Sequence, residues 1–298
     1  MMSDHITTLH AEKPLIGALL AIFAFLCLSL AGVFAKMVTG AVPEITIFCF
    51  QFGVCFIFCL PWVFSRGIKR IYTRRLPMQI VRGVLGLLSY LAFLESLGKI
   101  PLVNATVLLY ASPLWVPLIL FVWLRVKVAK RLWWSILIGF AGMLLIVRPS
   151  GDEFVHFGTL LALLSGFLYG VVTVVVRQLL HTEPTDRILF YYFLICMLIS
   201  LPIVLLHWQP LTEREWTILL VSGVAMFGCQ FGFTQALRFA DPSVVAVFSY
   251  TGVVFSGIFG FILFRQVPSM LGFFGILLVI IGGGLTILKT KKRARTVP

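Results

Sequence analysis

The chain has 298 residues, 60% of them hydrophobic and only 12% charged. A soluble domain of that length carries about a quarter charged residues, so a water-soluble fold is excluded. The formal charge of +13 suggests nucleic acid at first sight, but the positions of the basic residues contradict that reading.

Crossing ~30 Å of hydrocarbon takes about 20 apolar residues. Such runs recur at 14–35, 45–64, 78–98, 102–124, 132–147, 155–176, 188–206, 216–237, 243–264 and 269–288. The first is too long for a signal-peptide core and lacks a small-residue cleavage site, so it is expected to remain as a membrane span. The third contains Arg82 and Glu95, and the fifth is short unless Trp133 and Trp134 anchor it at the interface. Of the eleven acidic residues only Glu95 falls inside a run. A core helix of a soluble protein keeps a polar face, and these runs have none. The six cysteines all lie inside apolar runs without CxxC spacing, so neither disulfides nor a metal site is expected.

Successive loops must alternate between the two faces of the membrane. With ten spans, eighteen lysines and arginines collect on one face and five (Lys36, Lys99, Arg148, Arg214, Arg265) on the other. The positive-inside rule then puts both termini in the cytoplasm, in a bacterial inner membrane. The basic charge is a topology signal, and no nucleic-acid partner is expected. Arg82 has no acid near it in sequence and is expected to meet cytoplasmic headgroups.

A shift of 141 residues aligns the first two spans with the sixth and seventh: Gly17 meets Gly158, Lys36 meets Arg177, Pro43 meets Pro184 and Cys55 meets Cys196. A shift of 140 aligns spans three to five with eight to ten: Gly83 meets Gly223, Tyr110 meets Tyr250 and Gly142 meets Gly282. Shared aliphatic residues arise by chance, but a register held through prolines, basic residues and loops does not. Five spans is an odd number, so the second copy enters from the opposite side. The expected fold is an all-α polytopic membrane protein of ten transmembrane helices in two inverted five-helix repeats. The repeats are 14–148 and 155–289, with cytoplasmic tails 1–13 and 290–298.

Ten spans in two halves, a glycine-rich end to each half's last span (Gly139, Gly142; Gly282, Gly283, Gly284) and a basic residue closing each half's first (Lys36, Arg177) resemble the EamA branch of the drug/metabolite transporter superfamily. The order of elements is most similar to S-adenosylmethionine-uptake and related metabolite carriers. The sequence departs from the family pattern after spans four and nine, where many members carry an acid and this chain has Arg125-Val-Lys127 and Arg265-Gln-Val. An arginine common in the family's second span corresponds to Gln51. The resemblance implies a transporter with spans three, four, eight and nine around a central cavity.

Polar residues concentrate in those spans. Spans three and eight pair Tyr90 with Gln230 and Glu95 with Gln235. Spans four and nine pair Tyr110 with Tyr250 and add Asn104. Each of these reads either as a cavity-lining substrate contact or as an interhelical hydrogen bond. Glu95 is open to two readings, a proton or cation site or an i,i+4 partner of Lys99. Lys36 and Arg177 either snorkel to the interface or place charge at the cavity mouths. Pro113 and Pro117 are candidate kinks in span four. No phosphate-binding loop is present, and no cofactor is expected. The expected function is secondary transport of a small polar organic metabolite (an amino acid, nucleoside or S-adenosylmethionine-like compound) by alternating access. Its partners would be that substrate, membrane lipid, and a coupling proton or exchanged solute. A membrane enzyme, a lipid-handling protein and a passive channel are the alternatives.

Overall fold

The computed structural model describes residues 13–66, 71–100, 102–125, 130–147 and 157–264, with a few positions between 270 and 281. Its regular elements are all helices: α1 (Pro14–Val38), α2 (Glu44–Arg66), α3 (Leu76–Lys99), α4 (Leu102–Leu109), α5 (Ser112–Leu124), α6 (Lys130–Val147), α7 (Phe157–Leu180), α8 (Thr185–Leu206), α9 (Glu213–Phe239), α10 (Pro242–Phe248) and α11 (Tyr250–Phe264). Helices are the form in which an isolated segment satisfies its own backbone polar groups in hydrocarbon. Among the described residues eight segments are long and apolar enough to cross a membrane: α1, α2, α3, α4–α5, α7, α8, α9 and α10–α11. α6 coincides with the fifth expected span, and most of the tenth lies outside the described residues. The exposed surface carries large apolar side chains such as Val122, Leu160, Leu206 and Ile262. Water would penalise such a surface, whereas lipid accommodates it. The chain is an integral membrane protein.

Contacts recur in mirrored pairs. α1 packs on α9 as α7 packs on α3, and α2 meets α9 as α8 meets α3. The Cys55 thiol lies 3.7 Å from the Gly223 carbonyl, and the Cys196 thiol lies 4.0 Å from the Gly83 carbonyl. Val54 fills the space over Gly223 and Ile195 the space over Gly83, so closely that a Cβ on either glycine would come 2.6 Å from a side-chain carbon. Lys36 donates to the carbonyls of Leu97 and Ile100 (3.1 Å to the latter), and Arg177 donates to those of Leu237 and Ala240 (3.4 Å to the latter). Each basic residue thus satisfies open carbonyls at the end of α3 or α9. Gly17 at the start of α1 lies against Ala240, and Arg177 near the end of α7 reaches the same residue. The start of α1 and the end of α7 therefore share one side of the bundle, so these counterpart helices run in opposite directions.

The structure divides spans four and nine. α4 gives way to α5 at Tyr110–Ala111, and α10 to α11 at Ser249, the corresponding place one repeat later. Pro113 has no N–H to offer the Leu109 carbonyl, which accounts for the first break. The second contains no proline. There the backbone tightens into three-residue hydrogen bonds, Ser249 N–H to Ala246 and Gly252 N–H to Ser249. Ser29 of α1 donates to the Gly252 carbonyl at 2.9 Å, so a neighbouring helix meets part of the cost.

Candidate functional site

Where α2, α3, α8 and α9 meet, the core contains the group most costly to bury there. Arg82 is six residues, about 9 Å, along α3, and it is only 2% exposed. The headgroup contact expected from sequence is therefore corrected: the side chain turns into the bundle. Its guanidinium carbon lies 3.7 Å from the centre of the Tyr192 ring, and Nη2 donates to Gln230 Oε1 at 3.1 Å. No ion pair among the described residues reaches it. Gly86, one turn further along α3, makes the fit possible. A Cβ there would come 2.5 Å from Arg82 Nη1 and 2.7 Å from the Tyr192 ring.

The surrounding groups are aromatic and amide. Phe52 contacts both Tyr90 (centroids 6.0 Å apart) and Tyr192 (5.2 Å), and Tyr169 contacts Phe233 at 5.3 Å. Gln51 donates to Ser222 Oγ at 2.5 Å, and Ser222 in turn donates to the Ala31 carbonyl. Under the repeat register Gln51 corresponds to Tyr192, and Arg82 to Ser222. The same mirrored contact is thus an amide–hydroxyl bond in one half and a cation over a ring in the other. Several buried atoms have no hydrogen-bond partner among the described residues: Arg82 Nε, both amide atoms of Gln79, Gln51 Oε1, and the Tyr90 and Tyr169 hydroxyls.

Two of the residues singled out from sequence fall in this cluster, Tyr90 and Gln230. Tyr110 and Tyr250 sit at the two helix breaks, where they pack closely. The Tyr110 ring covers Gly252 and meets Phe25 edge-on at 5.4 Å, while the Tyr250 ring covers Gly139 and its hydroxyl donates to the Ile136 carbonyl at 3.2 Å. Gln235 accepts from Thr185 at 2.9 Å. Asn104 is half-buried on α4, and Pro113 and Pro117 are buried in α5. Glu95 lies apart. It pairs with Lys99 at 2.8 Å, with both side chains 41% exposed, beside an open groove of about 650 Å³ walled by Leu88, Leu91, Leu161 and Leu164. Sequence reasoning passed over Arg82, Gln79, Gln51 and Tyr192 as the centre. The repeat register was the signal that could have nominated all but Gln79, because it pairs Gln51 with Tyr192 and Arg82 with Ser222.

A lipid-facing helical bundle with mirrored helix breaks and a buried polar centre defines a polytopic membrane protein of the repeat-built kind. The chain belongs to the EamA-like transporter family, which matches residues 15–148 and again 156–288, within the drug/metabolite transporter superfamily. It is 29% identical to the pseudopaline exporter CntI of Pseudomonas aeruginosa, covering 93% of this chain and 97% of that protein. It is 25% identical to a riboflavin transporter of Vibrio cholerae (95% and 97%) and 24% identical to an S-adenosylmethionine uptake transporter of Rickettsia felis (82% and 83%). A protein of known crystal structure shares the fold, with a TM-score of 0.73 over 93% of this chain and 97% of that one at 20% identity. These names point to transporters rather than enzymes.

Proposed function

We propose that the chain is a secondary carrier of a small polar organic metabolite, working by alternating access between two inverted five-span repeats, ten spans in all. The repeats correspond to 14–148 and 155–289, and both termini face the cytoplasm across the inner membrane of a bacterium. The observation that carries this reading is the pair of mirrored breaks, at Tyr110–Ala111 and at Ser249, beside a polar centre built from both halves. Broken spans leave backbone groups and side chains available near the midplane, and symmetric halves supply two alternative closures of one site. The relatives named as carriers of pseudopaline, riboflavin and S-adenosylmethionine support the same class while differing in cargo.

Uptake by proteoliposomes containing the purified chain tests this. The expected result is saturable accumulation of at least one labelled metabolite, with counterflow when unlabelled metabolite is trapped inside. Flux that neither saturates nor exchanges would replace the carrier by a channel. No flux of any candidate through folded protein would remove transport altogether.

A further inference from the structure

Among the described residues no acid balances the charge on Arg82. A guanidinium stays protonated in a protein, and removing it from water is costly unless an opposite charge or a full set of hydrogen bonds replaces the lost hydration. A desolvated cation–π contact and one hydrogen bond from a charged group return only part of that cost. Those two contacts are what Tyr192 and Gln230 provide, and Nε has no partner among the described residues. Gln79, three residues earlier on the same face of α3, is fully buried with both amide atoms unmatched, and Gln51 Oε1 and the Tyr90 hydroxyl are unmatched as well. A site that holds one cation, spare amide and hydroxyl groups and aromatic walls lacks one component, a planar anion.

We propose that Arg82 receives a carboxylate of the transported metabolite, and that the cargo is a small monocarboxylate with a flat, apolar body. The proposal rests on the transport reading above. The guanidinium fork matches a carboxylate in a bidentate manner. Gln79 and Tyr90 have donors to offer the remaining lone pairs, and Phe52, Tyr90 and Tyr192 surround the guanidinium with aromatic surface. Charge number decides between anions. One guanidinium balances one negative charge, and a phosphate ester would leave an excess charge in a low-dielectric interior. A free amino acid fits less well, because Glu95, the acid inside α3, lies apart on the groove beside Lys99 and leaves an ammonium unmatched.

Thermal unfolding of the purified full-length chain tests the assignment, with benzoate and indole-3-acetate as probes. Benzamide and indole-3-acetamide serve as neutral isosteres, and phenyl phosphate as the alternative anion. The carboxylates are expected to raise the midpoint in a concentration-dependent way, the amides to have no effect, and Arg82→Gln to abolish the shift. Gly86→Ala keeps the charge but pushes the guanidinium off Tyr192, and is expected to weaken carboxylate binding at least tenfold. If Arg82→Gln does not fold, the Gly86 variant and the carboxylate–amide comparison still decide. Equal shifts from amides and carboxylates, unchanged binding by either variant, a larger response to phenyl phosphate, or no response to either carboxylate would each overturn the assignment. The two readings fail separately. Carboxylates that bind through Arg82, with no candidate metabolite crossing proteoliposomes, would refute transport and leave the site. Neutral or cationic cargo that Arg82→Gln moves normally would refute the carboxylate and leave transport.

Discussion

At the level of single residues, burial separates charges that look alike in sequence. Arg82 and Glu95 lie in the same helix, yet one is enclosed and the other faces a groove beside Lys99. An exposed ion pair contributes little because water screens it, so Glu95→Gln should leave the unfolding midpoint and the transport rate close to wild type. A large loss of proton-driven uptake in that variant would return Glu95 to the coupling machinery. His181, in the turn between α7 and α8, titrates differently. Burial, and then the nearby Arg177 and Arg75, hold its pKa below the usual ~6.5. As pH falls the unfolded chain takes up this proton before the folded chain does. Stability is therefore expected to fall on acidification through and below ~6.5, and His181→Gln should flatten that part of a stability-versus-pH curve.

The elements show how a sequence repeat becomes a mechanical one. Lys36 and Arg177 each tie down the end of the third helix of their own half, α3 and α9, by donating to carbonyls that helix geometry leaves open. Replacing either by alanine exposes those carbonyls unpaired, at a cost of about 1–3 kcal/mol. The two sites lie on opposite sides of the bundle, so the costs should add in the double variant. Thermal unfolding in detergent measures all three. The break between α4 and α5 makes a different prediction. Pro113→Ala restores a donor for the Leu109 carbonyl, so the span can straighten. We expect equal or higher thermal stability together with a transport rate several-fold lower, because the flexible joint has become continuous helix.

The two ends of the whole molecule are closed differently. On the side where α1 starts, Glu183 between α7 and α8 is buried, accepts from Thr73 at 2.7 Å and pairs with Arg187 at 2.5 Å. Thr73 precedes α3 and belongs to the other half, so this contact links the repeats across one end. Under the register Glu183 corresponds to Val42, and a valine cannot make the same link at the opposite end. Removing the carboxylate should therefore loosen one end selectively. Glu183→Ala is expected to speed amide exchange in segments 71–80 and 181–190 by tenfold or more, a loss of roughly 1.4 kcal/mol or more in local closure. Segments at the α1–α2 turn should keep their wild-type rates. Equal acceleration at both ends would mean that Glu183 stabilises the bundle generally and does not gate one side.

Much of this architecture is already determined in the sequence, because a membrane imposes its requirements segment by segment. Run length gives the spans, acid-free stretches rule out a polar face, and the constant shift through Lys36, Arg177, Pro43 and Pro184 gives the repeat. The break in span four is legible at Pro113, whereas its mirror at Ser249 is only hinted at by Gly252, because a glycine permits a bend without forbidding a helix and neighbours such as Ser29 stabilise the turn. The centre itself required three dimensions. Gln51, Arg82, Tyr192 and Gln230 come from four helices, and nothing in a one-dimensional reading of Arg82 separates a cation snorkelling to headgroups from one folded over Gly86 onto Tyr192. The sequence alone determined which segments enter the membrane, since partition into lipid depends on local composition. The tertiary structure decided which polar side chains share a site, since the cost of burying a charge depends on what other helices bring to it.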